Sequence, residues 1–292
     1  CTENQTLRYK QGALRPWGVP TVTTQPTPTL VSGGLTPGVY QVAMTWVDQA
    51  GDEGGTTIAA SVSVGANQSL SVVLPSRAGL TPQLYGSAVN SATLYKQAQG
   101  SGTHRVDSVR DDVARLETSH HREPAPGNIV VAHNSVLVMA DGPTLWMTTP
   151  LRPHLVNRAT MFFQFPTPIN MVASASGGLY VGADKVYFIS GVETDKPEQS
   201  TASEYPAVGG TTATLPDGRV AWMTQYGLAI SAPNGAVELP SGAHFVPELG
   251  LFGGSGMMQN NGNQTVVTTM QAGRGQNPLA ASDYYEAEIV TP

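Results

Sequence analysis

A short pattern returns about every 42 residues in the C-terminal half of this chain, and it constrains the fold more than any other feature. Ser135–Met147 reads SVLVMADGPTLWM, Gly178–Phe188 reads GLYVGADKVYF, and Arg219–Ile230 reads RVAWMTQYGLAI. Each is an apolar strand, a small-residue turn and a second apolar strand. Val136, Leu179 and Val220 align, as do Leu145, Val186 and Leu228. Paired strands at a period of about 40–45 residues are the sequence sign of β-propeller blades. The repeats begin at Asn128-Ile-Val-Val-Ala132. A fourth unit is expected from Gln264–Met270, with a last strand at Tyr284–Val290. Four units would make a very small closed propeller. An incomplete one, finished by further sequence or by a partner chain, fits equally.

The N-terminal half lacks this period. Gly38–Val47 alternates instead, with Tyr40, Val42, Met44 and Trp46 forming its apolar face. Such alternation marks a half-buried strand. Asp48–Gly55 is a turn cluster. Further strands are expected at Thr6–Lys10, Thr56–Gly65, Ser69–Leu74 and Ser91–Gln97, with Thr103–Val109 returning beside the last. Several short strands at this spacing suggest an immunoglobulin-like or fibronectin-III-like sandwich. Ser108–Ser119 holds the one plausible helical turn. The expected fold is therefore all-β: an N-terminal extended linker over 1–29, a sandwich over 30–122, and a propeller-like domain over 123–292.

Composition agrees. Charged residues make up 12%, while Gly (32) and Pro (22) are abundant. Sparse charge suits either a neutral β-protein or one that buries surface against partners. Net charge is −6, and Arg105, Arg110 and Arg115 form only a weak basic cluster. No basic stripe for nucleic acid is visible. No apolar run reaches the 18 or so residues of a membrane-spanning helix. Cys1 is the one cysteine, so no intrachain disulfide is possible. Cys1 reads either as an internal residue of a longer chain, the favoured expectation, or as the lipid-modified end of a bacterial lipoprotein.

Candidate chemistry is weak at every position. Asp48, Asp52 and Glu53 could gather calcium, but their spacing is not that of an EF-hand, and hairpin turn chemistry accounts for them as well. His104, His120, His121, His133 and His154 lack zinc spacing. Ser255 in Gly253-Gly-Ser-Gly256 lacks the second glycine of a nucleophile elbow and reads as a flexible loop. Glu193 with Asp195, or Asp283 with Glu286, could pair as glycosidase carboxylates, as chance pairs do in any acidic protein. Trp146, Tyr180, Tyr187, Phe188 and Trp222 recur within the repeats, more simply as strand packing than as a carbohydrate-binding row. No catalytic, cofactor-binding or metal site is expected.

Several segments together resemble a family of tailed-bacteriophage structural proteins. They are Leu14–Pro20, Pro37–Asp48 with Gly51–Gly54, Asn128–His133 with Val136–Met139, Leu145–Pro153, Phe163–Ile169, Gly177–Gly182 with Val186–Gly191, and Leu279–Glu288. Their layout is similar to that of short-tail nozzle or hub proteins. The resemblance implies a virion protein at the tail nozzle, tip or baseplate. It would assemble with other tail proteins as a ring-forming homo-oligomer, without cofactor or enzymatic activity, and serve host attachment and genome delivery. Two alternatives remain at this point: a surface or periplasmic propeller lipoprotein, and a carbohydrate-binding or carbohydrate-active receptor-recognition protein.

Overall fold

The computed structural model describes residues 7–10, 12–240, 250–260 and 263–271. Strands hold 53% of the residues and helix 1%, so the chain is all-β. The described residues fall into two compact units: 7–125 with 151–161, and 126–150 with 162–271.

In the first unit, strand Gly38–Asp48 is central. Its apolar face is buried as the alternation requires: Tyr40, Val42, Met44 and Trp46 are all under 8% exposed. The strand lies in a four-stranded antiparallel sheet ordered Ala60–Val64, Gly38–Asp48, Leu80–Ser87, Leu94–Gln99. A three-stranded sheet, ordered Thr29–Ser32, Gln68–Leu74, Gly102–Val106, supplies Leu70, Val72, Leu74 and Val106 to the same core. Each fully buried Leu or Val of this core contributes about 1.5–3 kcal/mol of transfer free energy.

One strand joins those expected, and two expectations change. Strand Leu80–Ser87 pairs along the whole of Val42–Asp48, with Pro82 opposite Trp46; Pro and Gly within it had masked it as a strand. Gly102–Val106 does not return beside Leu94–Gln99 but crosses to pair with Gln68–Leu74. The helical turn over 108–119 does not form. Its 114–116 stretch lies along the free edge of Leu94–Gln99, Arg115 bridging Tyr95, with Lys96 N–H bonded to Ala114 O and Leu116 N–H to Leu94 O. Leu116 packs against Ala43, Tyr85 and Leu94, which is why Ala43 is buried on the face expected to be solvated.

Residues 1–29 were read as an extended segment with one strand at Thr6–Lys10; that strand is present as Leu7–Lys10, and more of the described part is ordered. Leu7–Lys10 and Ala13–Pro16 form a hairpin with Tyr9 opposite Leu14, and Trp17, Val19 and Val22 are buried. At Gly55 the chain passes so close to the His121 carbonyl that a methyl group would overlap it. Residues 151–161 join this unit through Val156–Asn157, which pairs with His121–Arg122. Leu155 and Val156 are fully buried.

The second unit is a series of antiparallel meanders. The first sheet is Ile129–His133, Val136–Asp141, Thr144–Met147, Phe162–Gln164; the second is Met171–Ala175, Gly178–Gly182, Val186–Ser190, Glu198–Ser203; the third is Ala213–Thr214, Val220–Thr224, Gly227–Ser231, Val237–Glu238. The repeated pattern supplies the second and third strands of each. Ile129–His133 lies beside Met171–Ala175 and Ala213–Thr214 beside Gly253–Asn260, while Met171–Ala175 meets the third sheet at its second strand, Val220–Thr224. The middle hairpin has a three-residue turn, Gly182 pairing with Val186, where the other two have two-residue turns. The extra residue moves Val186 one place along its strand relative to Leu145 and Leu228. The shift is tolerated because the middle sheet is buried on both faces, Val181, Gly182, Val186 and Tyr187 included.

The fourth unit differs from expectation. Gln264–Met270 falls within the second strand of a ribbon, Gly253–Asn260 with Asn263–Met270, so Ser255 sits on a strand rather than in a flexible loop. Tyr284–Val290 lies outside the described residues. Among the described residues no helix is long and apolar enough to cross a membrane, which says nothing of β-barrels.

Candidate functional site

The acidic turn after the central strand is the densest polar cluster of the first unit. Asp48 caps its own turn: its Oδ1 accepts the N–H of Ala50 (2.8 Å) and of Asp52 (2.9 Å), as aspartate does in Asx-type turns. Its Oδ2 takes Arg8 Nη2 at 3.0 Å, and the same Nη2 lies 2.6 Å from Asp52 Oδ2. Arg8 comes from the hairpin forty residues upstream. A guanidinium therefore occupies the space between the two carboxylates proposed as calcium ligands. Glu53 turns elsewhere, its Oε1 accepting the Thr45 hydroxyl at 2.5 Å and the Tyr85 hydroxyl at 2.7 Å. Burial, then the bond to Glu53, pushes the Tyr85 hydroxyl far above its usual range, so it stays a donor. His154 Nδ1 stands 3.8 Å from Asp52 Oδ1. Burial holds its pKa below the usual histidine value despite Asp52, which leaves it neutral at pH 7. The cluster acts as a staple: each charge is met and the turn is pinned to the hairpin.

The remaining histidines are dispersed. His104 Nε2 bonds Gly100 O (2.7 Å) and His121 Nδ1 bonds Ser119 O (3.0 Å). His120 takes a left-handed backbone, φ 63°. Among the described residues no group of three or more His, Cys, Asp or Glu could hold a metal ion.

One constellation was missed by sequence reading. In the second unit His133, 4% exposed, places Nδ1 2.9 Å from Ser174 Oγ, with Nε2 4.0 Å from Glu193 Oε2. The residue types are those of a Ser–His–carboxylate triad. The geometry is not: the carboxylate lies beyond hydrogen-bond reach, and Ser174 sits mid-strand opposite Leu179 rather than on a strained turn. The contact ties the first strands of two successive sheets. Glu193 Oε1 accepts from Asn134 Nδ2 at 3.3 Å, and Asp195 is exposed. Asp283 and Glu286 lie outside the described residues. Ser255 Oγ is engaged by Thr268 Oγ1 at 2.7 Å.

The aromatic positions separate by burial. Tyr180 and Trp222 are at most 1% exposed, with ring centroids 5.3 Å apart, and Phe188 lies 5.0 Å from Tyr180. Tyr187 stacks at 5.0 Å on Phe165. These rings are core. Trp146 packs at 5.5 Å on Phe162, which is 37% exposed. Two clefts open among the described residues. One of about 440 Å³ in the first unit is lined by Leu14, Arg15, Asp48 and Arg77. Another of about 610 Å³ in the second unit is lined by Ser176, Ser200, Asp217, Arg219 and Asn234. No protein-family model matches the chain, and no curated protein sequence matches it.

Proposed function

We propose that this chain is a structural subunit of a bacteriophage tail, at its nozzle, tip or baseplate. It works by docking on neighbouring copies and other tail proteins in a closed ring, and so serves host attachment and genome delivery. On this reading the first unit is a fibronectin-III-like sandwich and the second a propeller-like array, without catalytic function. Successive four-stranded meanders are how propeller blades are built. The segments that resemble tail proteins, Val136–Met139, Gly177–Gly182 and Val186–Gly191, supply the buried second and third strands of two of those meanders. A ring held by heterologous contacts needs surfaces that are apolar before assembly.

The observation that carries the reading is the ribbon that follows the three sheets. Its face bearing Gly254, Gly256, Met258, Thr265, Val267 and Thr269 is exposed, with Met258 at 52% and Val267 at 46%. A flat, uncharged ribbon face of this kind is suited to a neighbouring sheet. Immunogold labelling of intact particles with an antibody against this chain tests the proposal. Gold is expected on the tail. Labelling on capsid faces, or on no part of the particle, overturns it.

A further inference from the structure

We propose that the cleft between the N-terminal hairpin and the turn at Arg77–Leu80 binds an acidic segment of a neighbouring polypeptide, a carboxylate flanked by apolar side chains. The hairpin Leu7–Lys10/Ala13–Pro16 has two unlike faces. Leu7 (46% exposed), Tyr9 (76%) and Leu14 (70%) share the outer one, since Tyr9 pairs with Leu14 and Leu7 with Pro16. Arg8 and Arg15 are paired on the other. Arg8 is met by Asp48 and Asp52. Arg15 is not: among the described residues no carboxylate lies within ion-pair distance of it, and its Nε–H, like that of Arg8, meets no acceptor. A half-buried guanidinium without a carboxylate is free to take one from outside the chain.

Arg15 lines the 440 Å³ cleft together with Arg77, which is likewise without a carboxylate partner among the described residues. The one acid in the wall, Asp48, has both oxygens engaged, by Arg8 and by the N–H groups of its own turn. The cleft therefore presents two guanidinium groups with no opposing free carboxylate. Beside Gln49, its other side chains are apolar, Leu14, Val19 and Leu80 among them. Guanidinium favours planar, bidentate recognition of carboxylate or phosphate. The apolar walls, and the exposed row of Leu7, Tyr9 and Leu14 on the adjoining hairpin, decide between these. They fit a peptide whose acid is flanked by aliphatic residues. A nucleic-acid backbone would gain nothing from them.

The inference rests on the assembly reading only for what carries the peptide. Binding to the isolated protein can fail while particle labelling succeeds, and the reverse. The test is isothermal titration calorimetry on the whole chain with the capped peptide Ac-Leu-Asp-Leu-Glu-Leu-NH2. Its uncharged analogue, Ac-Leu-Asn-Leu-Gln-Leu-NH2, inorganic phosphate and a thymidine oligonucleotide serve as comparison probes. The acidic peptide is expected to bind at least about tenfold more tightly than the analogue, as charge-assisted hydrogen bonds allow. R15Q and R77Q are each expected to weaken it by about tenfold, with unchanged thermal midpoints. Arg77 is exposed on a turn, so R77Q keeps the test valid should R15Q disturb the hairpin. Absence of peptide binding, equal affinity for both peptides, binding unchanged in both variants, or tighter binding of phosphate or oligonucleotide would each overturn the proposal.

Discussion

The two units solve the same problem, joining antiparallel sheets, with different materials. In the first, polar groups are built into the joints: Glu53 between Thr45 and Tyr85, Arg8 between Asp48 and Asp52, and Glu123 on the backbone and hydroxyl of Thr21. In the second, beside the neutral His133–Ser174 contact and the Tyr180 hydroxyl, the joints are apolar and aromatic. Tyr180, Trp222, Phe188, Met171 and Val220 share one cluster with no charged member. A core of apolar contacts draws on area and shape, whereas a charge-bearing joint draws on protonation state. The units should therefore fail under different insults.

The largest effect should come from Trp222→Ala. Removing a fully buried indole costs about 3–5 kcal/mol. Urea unfolding followed by amide hydrogen exchange should show protection lost across 171–231 and kept across 38–87. Equal loss in both would break the contrast. Next is Glu53→Ala, which removes the acceptor for two hydroxyls and should cost about 2 kcal/mol, since bonds to charged groups are the stronger kind. Its signature is exchange confined to the first unit. Tyr180→Phe is smaller. The Tyr180 hydroxyl lies 3.0 Å from both the Ala232 and Ala236 carbonyls, and its loss should cost about 1 kcal/mol. Burial pushes this hydroxyl up to about 12. A raised acid keeps its stabilisation below the ordinary value of 10.0 and loses it as pH rises toward the folded one. Wild type should thus lose stability above pH 10, and Tyr180→Phe should lose less.

Acid gives the finest discrimination. Burial alone would raise Glu123, but the Thr21 hydroxyl and N–H outweigh it and hold the carboxyl below its ordinary 4.5. Its stabilisation is then complete above pH 4.5 and lost as pH falls through the folded value. Burial also depresses His121 and His154 in the same unit. Each favours the neutral ring, so stability falls as pH drops below 6.5. The second unit carries only His133 among the described residues with a histidine shift of this kind. A pH series of hydrogen exchange should show the first unit loosening earlier in acid, and Glu123→Gln should flatten its response below pH 4.5. A steeper acid response in the second unit would overturn the distinction.

What could be read from the sequence follows the same divide. Gly38–Asp48 and the three hairpins of the second unit were legible because their burial is periodic and local. Leu80–Ser87 was hidden by Pro82 and Gly86, whose placement is tolerated only because of the strands beside them. Residues 108–119 carry charges at helical spacing, yet Leu116 finds its place on Tyr85 and Leu94, and packing outweighs propensity. At the acidic turn the sequence grouped Asp48, Asp52 and Glu53 correctly as neighbours. Their partners, Arg8, Tyr85 and His154, are thirty to a hundred residues away, and no local pattern announces them.

The strand at Val156–Asn157 has a consequence for synthesis. A ribosome making this chain releases residues 7–125 before it makes the strand that pairs with His121–Arg122. Between the two it must deliver the first three strands of the second unit. Until residue 161 emerges, His121–Arg122 has an unpaired edge, and the first unit lacks the buried Leu155 and Val156. The nascent chain cannot mature domain by domain, and a gene cut at the apparent boundary near residue 125 would encode a sandwich left unlatched.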